Sequence, residues 1–198
     1  SKSVYYFGGG TAEGTKEMKA VLGGKGANLA EMTNLGVPVP PGFTIACHAC
    51  IDYLREGRFP DALREDAMSA LRRLEQTTGR GFGDARDPLL VSVRSGAAVS
   101  MPGMMETILN LGLNDRTVVG LAQQSGSARF PYDSYRRFIQ MYGDVVLGVS
   151  SHDFEHLLRA KRLTSGVETD AELGEEALRN LVGENKGLLR TRTAVPFP

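Results

Sequence analysis

Residues 61–93 read DALREDAMSALRRLEQTT, then GRGFGDARDP, then LLVSV. The first block is a helix by its spacing. Leu63, Ala67, Leu71 and Leu74 follow at steps of four, four and three, which is one stripe on a 3.6-residue period. The last block, Leu89 to Val93, is a continuous apolar run after Pro88 and predicts a buried strand. Toward the N-terminus the same alternation continues. Val4 to Phe7 is a β-prone run stopped by Gly8, Gly9 and Gly10. Ala27 to Leu35 reads as a short helix that Gly36 terminates. VPVPP at 37–41 cannot be helical, Phe43 to Ala46 follows as a strand, and 48–56 forms a helix ending at Gly57.

Beyond Asn114-Asp115 the pattern is helical almost to the end. Helices are predicted over Arg116 to Gln124, Tyr132 to Tyr142 and Asp153 to Arg162. Thr169 with Glu172 spells a capping box ahead of a fourth helix burying Leu178, Leu181 and Val182. The tail TRTAVPFP has nothing from which to build an element. The expected fold class is therefore mixed α+β, with an α/β subdomain over 1–114 and a helical subdomain over 115–198.

Composition narrows the function. Lys plus Arg and Asp plus Glu both number 23, so no general field attracts nucleic acid or an anionic membrane. No apolar run approaches the roughly 18 residues of a membrane span. The chain opens directly on VYYFGGG, so no signal peptide is expected. Two cysteines exclude a disulfide framework and point to a reducing, cytoplasmic compartment. Glycine is the outlier: 24 residues, about 12% against a usual figure of about 7%.

Three stretches can carry chemistry. Leu22-Gly23-Gly24-Lys25-Gly26-Ala27-Asn28 is a glycine loop entering a helix, where backbone N–H groups and the helix N-terminus suit an anion and Lys25 would complete a phosphate clamp. It is not a Walker A loop, because no Ser or Thr follows Lys25. A tight turn with a solvated lysine is the plainer reading. Val91-Ser92-Val93-Arg94-Ser95-Gly96-Ala97 ends an apolar strand on a guanidinium suited to a phosphate, or to an ordinary salt bridge. Ser100-Met101-Pro102-Gly103-Met104-Met105-Glu106-Thr107 combines pliable methionines with a Pro-Gly turn, fit to cover a flat ligand such as a purine or simply to fill a core.

Together GGKGANLAEM, VPPGFTI, VSVRSGA, VSMPGMM, TILNLGLND and YDSYRRF resemble the N-terminal nucleotide-binding region of the pyruvate phosphate dikinase family across almost the whole chain. The phosphoenolpyruvate synthases are a more distant relation. The resemblance implies a partial ATP-grasp-type fold, Mg²⁺ dependence, and reversible conversion of ATP, phosphate and pyruvate to AMP, pyrophosphate and phosphoenolpyruvate. By position it makes Lys25 a phosphate-binding lysine and Arg94 a catalytic arginine on the β- and γ-phosphates. Gly103, Met105 and Thr107 fall in the loop that closes over the nucleotide. Ala98 stands where some members carry a basic residue, and Glu106 replaces a commoner Asp. The resemblance places the phosphorylated histidine, the pyruvate-binding barrel and the acidic Mg²⁺ ligands outside these 198 residues. It implies a homodimer for the full-length enzyme, and no activity for this stretch alone. A stand-alone nucleotide-binding module, or a helical interaction scaffold over 115–190, are the competing classes.

Other signals carry less. Cys47-His48-Ala49-Cys50 lacks the second cysteine pair that a zinc site needs, and small residues at a strand-to-helix junction simply pack. His152 and His156 lie four apart without the intervening Glu of a metalloprotease helix. Arg72-Arg73 and Arg136-Arg137 suit solvated faces or salt bridges. The tyrosines at 132, 135 and 142 suit a core.

Overall fold

The computed structural model describes residues 2–96 and 107–198. By its internal contacts the chain forms two compact units, Ser1–Arg80 with Ser95–Met105, and Gly81–Arg94 with Glu106–Pro198.

In the first unit β1 (Val4–Gly8) lies between β2 (Thr11–Ala12) and β3 (Gly42–Ile45), antiparallel to both. Gly8 pairs with Thr11, leaving Gly9 and Gly10 as a two-residue loop. Their φ angles of 64° and 82° are what a type I′ hairpin turn requires. Helix α1 (Lys19–Asn34) is longer than the sequence predicts, because an extra turn precedes a break at Gly23. Helix α2 (Cys47–Glu56) ends at left-handed Gly57. Helix α3 (Asp61–Thr78) keeps its predicted bounds. Its stripe holds, with Leu63 and Leu74 buried and Ala67 and Leu71 half-buried. Val4, Ala49, Leu63 and Ala70 form the core here, with Phe43 against them. The Tyr6 hydroxyl donates to Thr77 at 2.8 Å, and the Arg73 guanidinium sits 3.9 Å over the Tyr6 ring, so α3 is pinned to β1.

Among the described residues, the second unit holds the hairpin β4 (Val91–Arg94) and β5 (Thr107–Leu111) and four α-helices. These are α4 (Thr117–Ser125), α5 (Arg129–Val145), α6 (Ser151–Ser165) and α7 (Glu175–Thr193). Among the described residues, fifteen buried ones make its core, including Tyr135, Phe138, Ile139, Phe154, Leu178, Leu181 and Leu189. Ile108 and Leu113 belong to that core, and Leu90 and Leu111 pack on it. The hairpin therefore groups with the helices, because its apolar side chains enter their core.

Three further expectations are revised. The apolar run at 89–93 is not a buried strand. Leu89 is buried, but the strand itself is an edge of a two-stranded ribbon and leaves Val93 44% exposed. The Thr169–Glu172 capping box exists, but it caps a single 3₁₀ turn at Asp170–Glu172, and α7 starts afresh after Gly174. The tail docks rather than trailing. Phe197 packs edge-on against Phe138 and Tyr142, with ring centroids 5.6 Å apart in both cases.

Three arginines converge on the 170–173 segment. Arg129 on α5 donates to the carbonyls of Asp170 and Leu173, both at 2.9 Å. Arg136 on α5, only 4% exposed, reaches the Asp170 carboxylate at 3.4 Å and Asp133 at 2.8 Å. Arg162 on α6 reaches the same aspartate at 3.3 Å. The predicted salt-bridge role of the 136–137 pair is met, with Arg136 as a buried ion pair rather than a solvated one.

Candidate functional site

Gly23 adopts φ 70°, ψ 168°, a conformation that side chains with a Cβ rarely reach. The chain therefore breaks after the first turn of α1 and restarts as a helix, with Lys25 in the new first turn. The restart is pressed against the sheet. A Cβ on Gly26 would lie 2.8 Å from the Thr44 methyl, and Ala27 is fully buried beneath. Lys25 itself stays half-buried, with its ammonium donating to the Ser95 carbonyl at 3.5 Å. That is a long bond, and among the described residues no carboxylate pairs with the ammonium. A cation at a helix start with no acidic partner is an arrangement that accepts an anion.

Arg94 closes β4 in the second unit. It is exposed, and its register partner across the hairpin is Thr107. The pairing runs Arg94–Thr107, Val93–Ile108, then Val91–Leu111, so β5 carries one extra residue. Asn110 absorbs it at φ 60°. Below the bulge, Gly112 at φ 115° lets the Leu89 carbonyl come within 2.6 Å of where a Cβ would stand. This register makes Arg94 and Thr107 neighbours where β4 ends and β5 begins. Among the described residues Arg94 has no ion-pair partner, so its guanidinium remains available for bidentate contact with an oxyanion.

The structure thus brings Arg94 and Thr107 together on one hairpin and sets Lys25 on the other unit. Gly103 and Met105, with Ala98 and Glu106, lie outside the described residues. The donors present do not fit a divalent cation. Lys25 and Arg94 are cationic, and among the described residues no group of three His, Cys, Asp or Glu could hold a metal ion. They fit phosphate oxygens instead.

Nothing in the sequence announced the Ser95 carbonyl as the partner of Lys25. Nor did it announce a cavity of about 500 Å³ that α7 and the tail form with Asp115, Tyr132, Arg179, Lys186 and Arg190. That cavity holds none of the candidate residues, and its charges are largely spent. Lys186 binds Asp115 at 2.6 Å, and Arg179 binds Glu175 at 2.6 Å while covering the Tyr132 ring. Bonds from Lys186, and then from the Tyr135 hydroxyl, hold the Asp115 carboxyl below its usual range. Burial, reinforced by Asp115, pushes the Tyr135 phenol up. The group is structural. His152 and His156 stack edge-to-face with centroids 4.9 Å apart on α6.

Known proteins bear on these residues. The family model described as the AMP/ATP-binding domain of pyruvate phosphate dikinase matches residues 19–65, which include Lys25. A pyruvate, phosphate dikinase of Rhizobium meliloti (strain 1021) is 53% identical over 199 residues, all of this chain and 22% of the relative. One from Giardia intestinalis is 50% identical over 202 residues, again all of this chain and 23% of the relative. Pyruvate, phosphate dikinase 1, chloroplastic, of Arabidopsis thaliana is 49% identical over 198 residues and 20% of its length. The chain spans about a fifth of the length of the curated relatives it matches.

Proposed function

We propose, from the chain's membership of the pyruvate, phosphate dikinase family along its whole length, that it supplies nucleotide-phosphate contacts to an enzyme of that reaction. The whole protein would interconvert ATP, pyruvate and phosphate with AMP, phosphoenolpyruvate and pyrophosphate. The observation that carries the reading is Lys25: an ammonium in a helix's first turn, behind a glycine break, with no carboxylate partner among the described residues and inside the span matched by the nucleotide-binding family model.

In phosphoryl transfer the protein works by positioning and by neutralising charge on the phosphate oxygens. Lys25 would act as a point charge on one phosphate. Arg94 would hold β- and γ-oxygens in its planar fork, and Thr107, opposite it, would offer a hydroxyl to the same group. Gly103 and Met105 belong to the proposed covering loop. Mg²⁺ would supply further charge neutralisation when bound. The donor set here does not fit it, so its carboxylate ligands are proposed elsewhere in an ATP-grasp-type site. A phosphohistidine domain, a pyruvate-binding barrel and a homodimeric state are proposed for the whole protein. No helix among the described residues is long and apolar enough to cross a membrane. The cytoplasm is the proposed compartment, although the Arabidopsis relative is named chloroplastic.

The test separates the two half-reactions in the full-length enzyme. Lys25→Ala should slow the step that consumes ATP by at least tenfold and leave phosphoryl exchange with pyruvate nearly intact. Equal loss in both half-reactions would refute a phosphate-binding role for Lys25.

A further inference from the structure

The Cys47-His48-Ala49-Cys50 segment does not behave as packing filler. Free cysteine is among the most buried of residue types. Here Ala49 is the residue that packs, at 5% exposure, whereas Cys47 is half-buried and Cys50 is exposed. The motif directly follows a strand. β3 ends at Ile45, Ala46 is extended at φ −66°, ψ 147°, and Cys47 opens α2. Both thiols therefore sit in one turn, at the first and fourth positions of the helix. The ring between them is held aside, with His48 Nε2 3.2 Å from the Ser3 hydroxyl.

From this placement we propose that Cys47 and Cys50 form a dithiol that exchanges with small-molecule disulfides and closes reversibly into an intrahelical disulfide. Helix geometry puts Cα atoms three residues apart at about 5 Å. That lies inside the roughly 4.4–6.8 Å window of natural disulfides. The Cβ atoms of a regular turn are about 5–6 Å apart, and a disulfide needs roughly 3.5–4.5 Å. Closure must draw the first turn inward by about 1 Å, so the bond is strained and readily reduced. No side chain caps that turn, so closure breaks no capping bond.

The exchange balances without a metal. The exposed Cys50, as thiolate, attacks a disulfide RSSR, forming a mixed disulfide and releasing one RS⁻. Cys47, also as thiolate, attacks the Cys50 sulfur, closing the ring and releasing the second RS⁻. The two protons leave the protein thiols and finish on the two RSH. The dithiol loses two electrons, and RSSR gains them.

The experiment uses the 198-residue chain under native conditions with oxidised glutathione, followed by alkylation of the remaining thiols and intact-mass spectrometry. Wild type should pass through a single glutathione adduct, end two hydrogens lighter with no alkylatable thiol, and return on addition of a reducing thiol. Cys47→Ser should stop at a stable adduct on Cys50, because nothing resolves it. Cys50→Ser should react several-fold more slowly than wild type. Serine is close to isosteric, and circular dichroism confirms that both variants fold. Stable adducts on both cysteines of wild type, disulfide-linked dimers, or two thiols that remain fully alkylatable would each overturn the proposal.

Discussion

Glu13→Gln tests how the first unit holds its sheet to α3 and to the chain start. One carboxylate makes three contacts. Lys2 lies 2.8 Å from Oε2, the Tyr6 backbone N–H donates to the same oxygen at 2.9 Å, and Arg73 on α3 donates to Oε1 at 2.8 Å. Partial burial pushes the carboxyl up, but Lys2, the Tyr6 N–H and Arg73 outweigh it and bring it down to about 2 from 4.5. A shift of that size is worth about 3 kcal/mol by linkage. The side chain is 32% exposed, and solvent screening reduces this to about 1–2 kcal/mol. The sign follows from the depressed value. The stabilisation is complete above 4.5 and is lost as pH falls through about 2, with more than half gone by about pH 3. Urea unfolding of wild type and Glu13→Gln at pH 7 and pH 3 measures it. The two proteins should differ by about 1–2 kcal/mol at pH 7 and converge on acidification, since a protonated Glu resembles Gln. A difference of the same size at both pH values would refute the electrostatic account.

Arg94→Lys in the full-length enzyme should lower the ATP step at least tenfold, because a point charge cannot reproduce the guanidinium fork; wild-type rates would remove Arg94 from the site. Phe197→Ala should destabilise the second unit by roughly 2 kcal/mol, about half the cost of deleting a fully buried Phe, and an unchanged urea midpoint would show that the tail adds nothing. Calorimetry of the 198-residue chain with Mg-ATP should give affinity weaker than about 100 μM, since the described residues hold no carboxylate set for the ion, and micromolar binding would show the site complete without one.

What could be read from the sequence was whatever local chemistry decides. α3 falls on its predicted residues because a proline precedes it, a glycine follows it and its stripe is unambiguous. The hairpin glycines, Gly36 and Gly57 are legible for the same reason: positive φ is a local demand. Lys25 was legible through its glycines, although Gly23 serves as a break inside a helix rather than as a loop before one. Arg94 and Thr107 entered through separate motifs, and only the strand register shows them as neighbours. What stayed hidden depends on distant partners. The apolar run at 89–93 looks buried in one dimension, and only pairing reveals an edge. The tail looks featureless until Tyr142 and Phe138 provide a seat for Phe197. The exposure of Cys50 stayed hidden too, because exposure is not encoded in a four-residue motif.

The arginine cluster around 170–173 makes the peptide link between α6 and α7 mechanically redundant. Gly166, Glu168 and Thr169 in that link are exposed, while the turn that follows is tied by Arg129 and Arg136 to α5 and by Arg162 to α6. A protease that nicked the link there would cut one covalent strand of a joint that three guanidinium groups and the shared core still hold. The two pieces would stay together as a non-covalent pair, and α7 would keep its place although nothing joined it to α6.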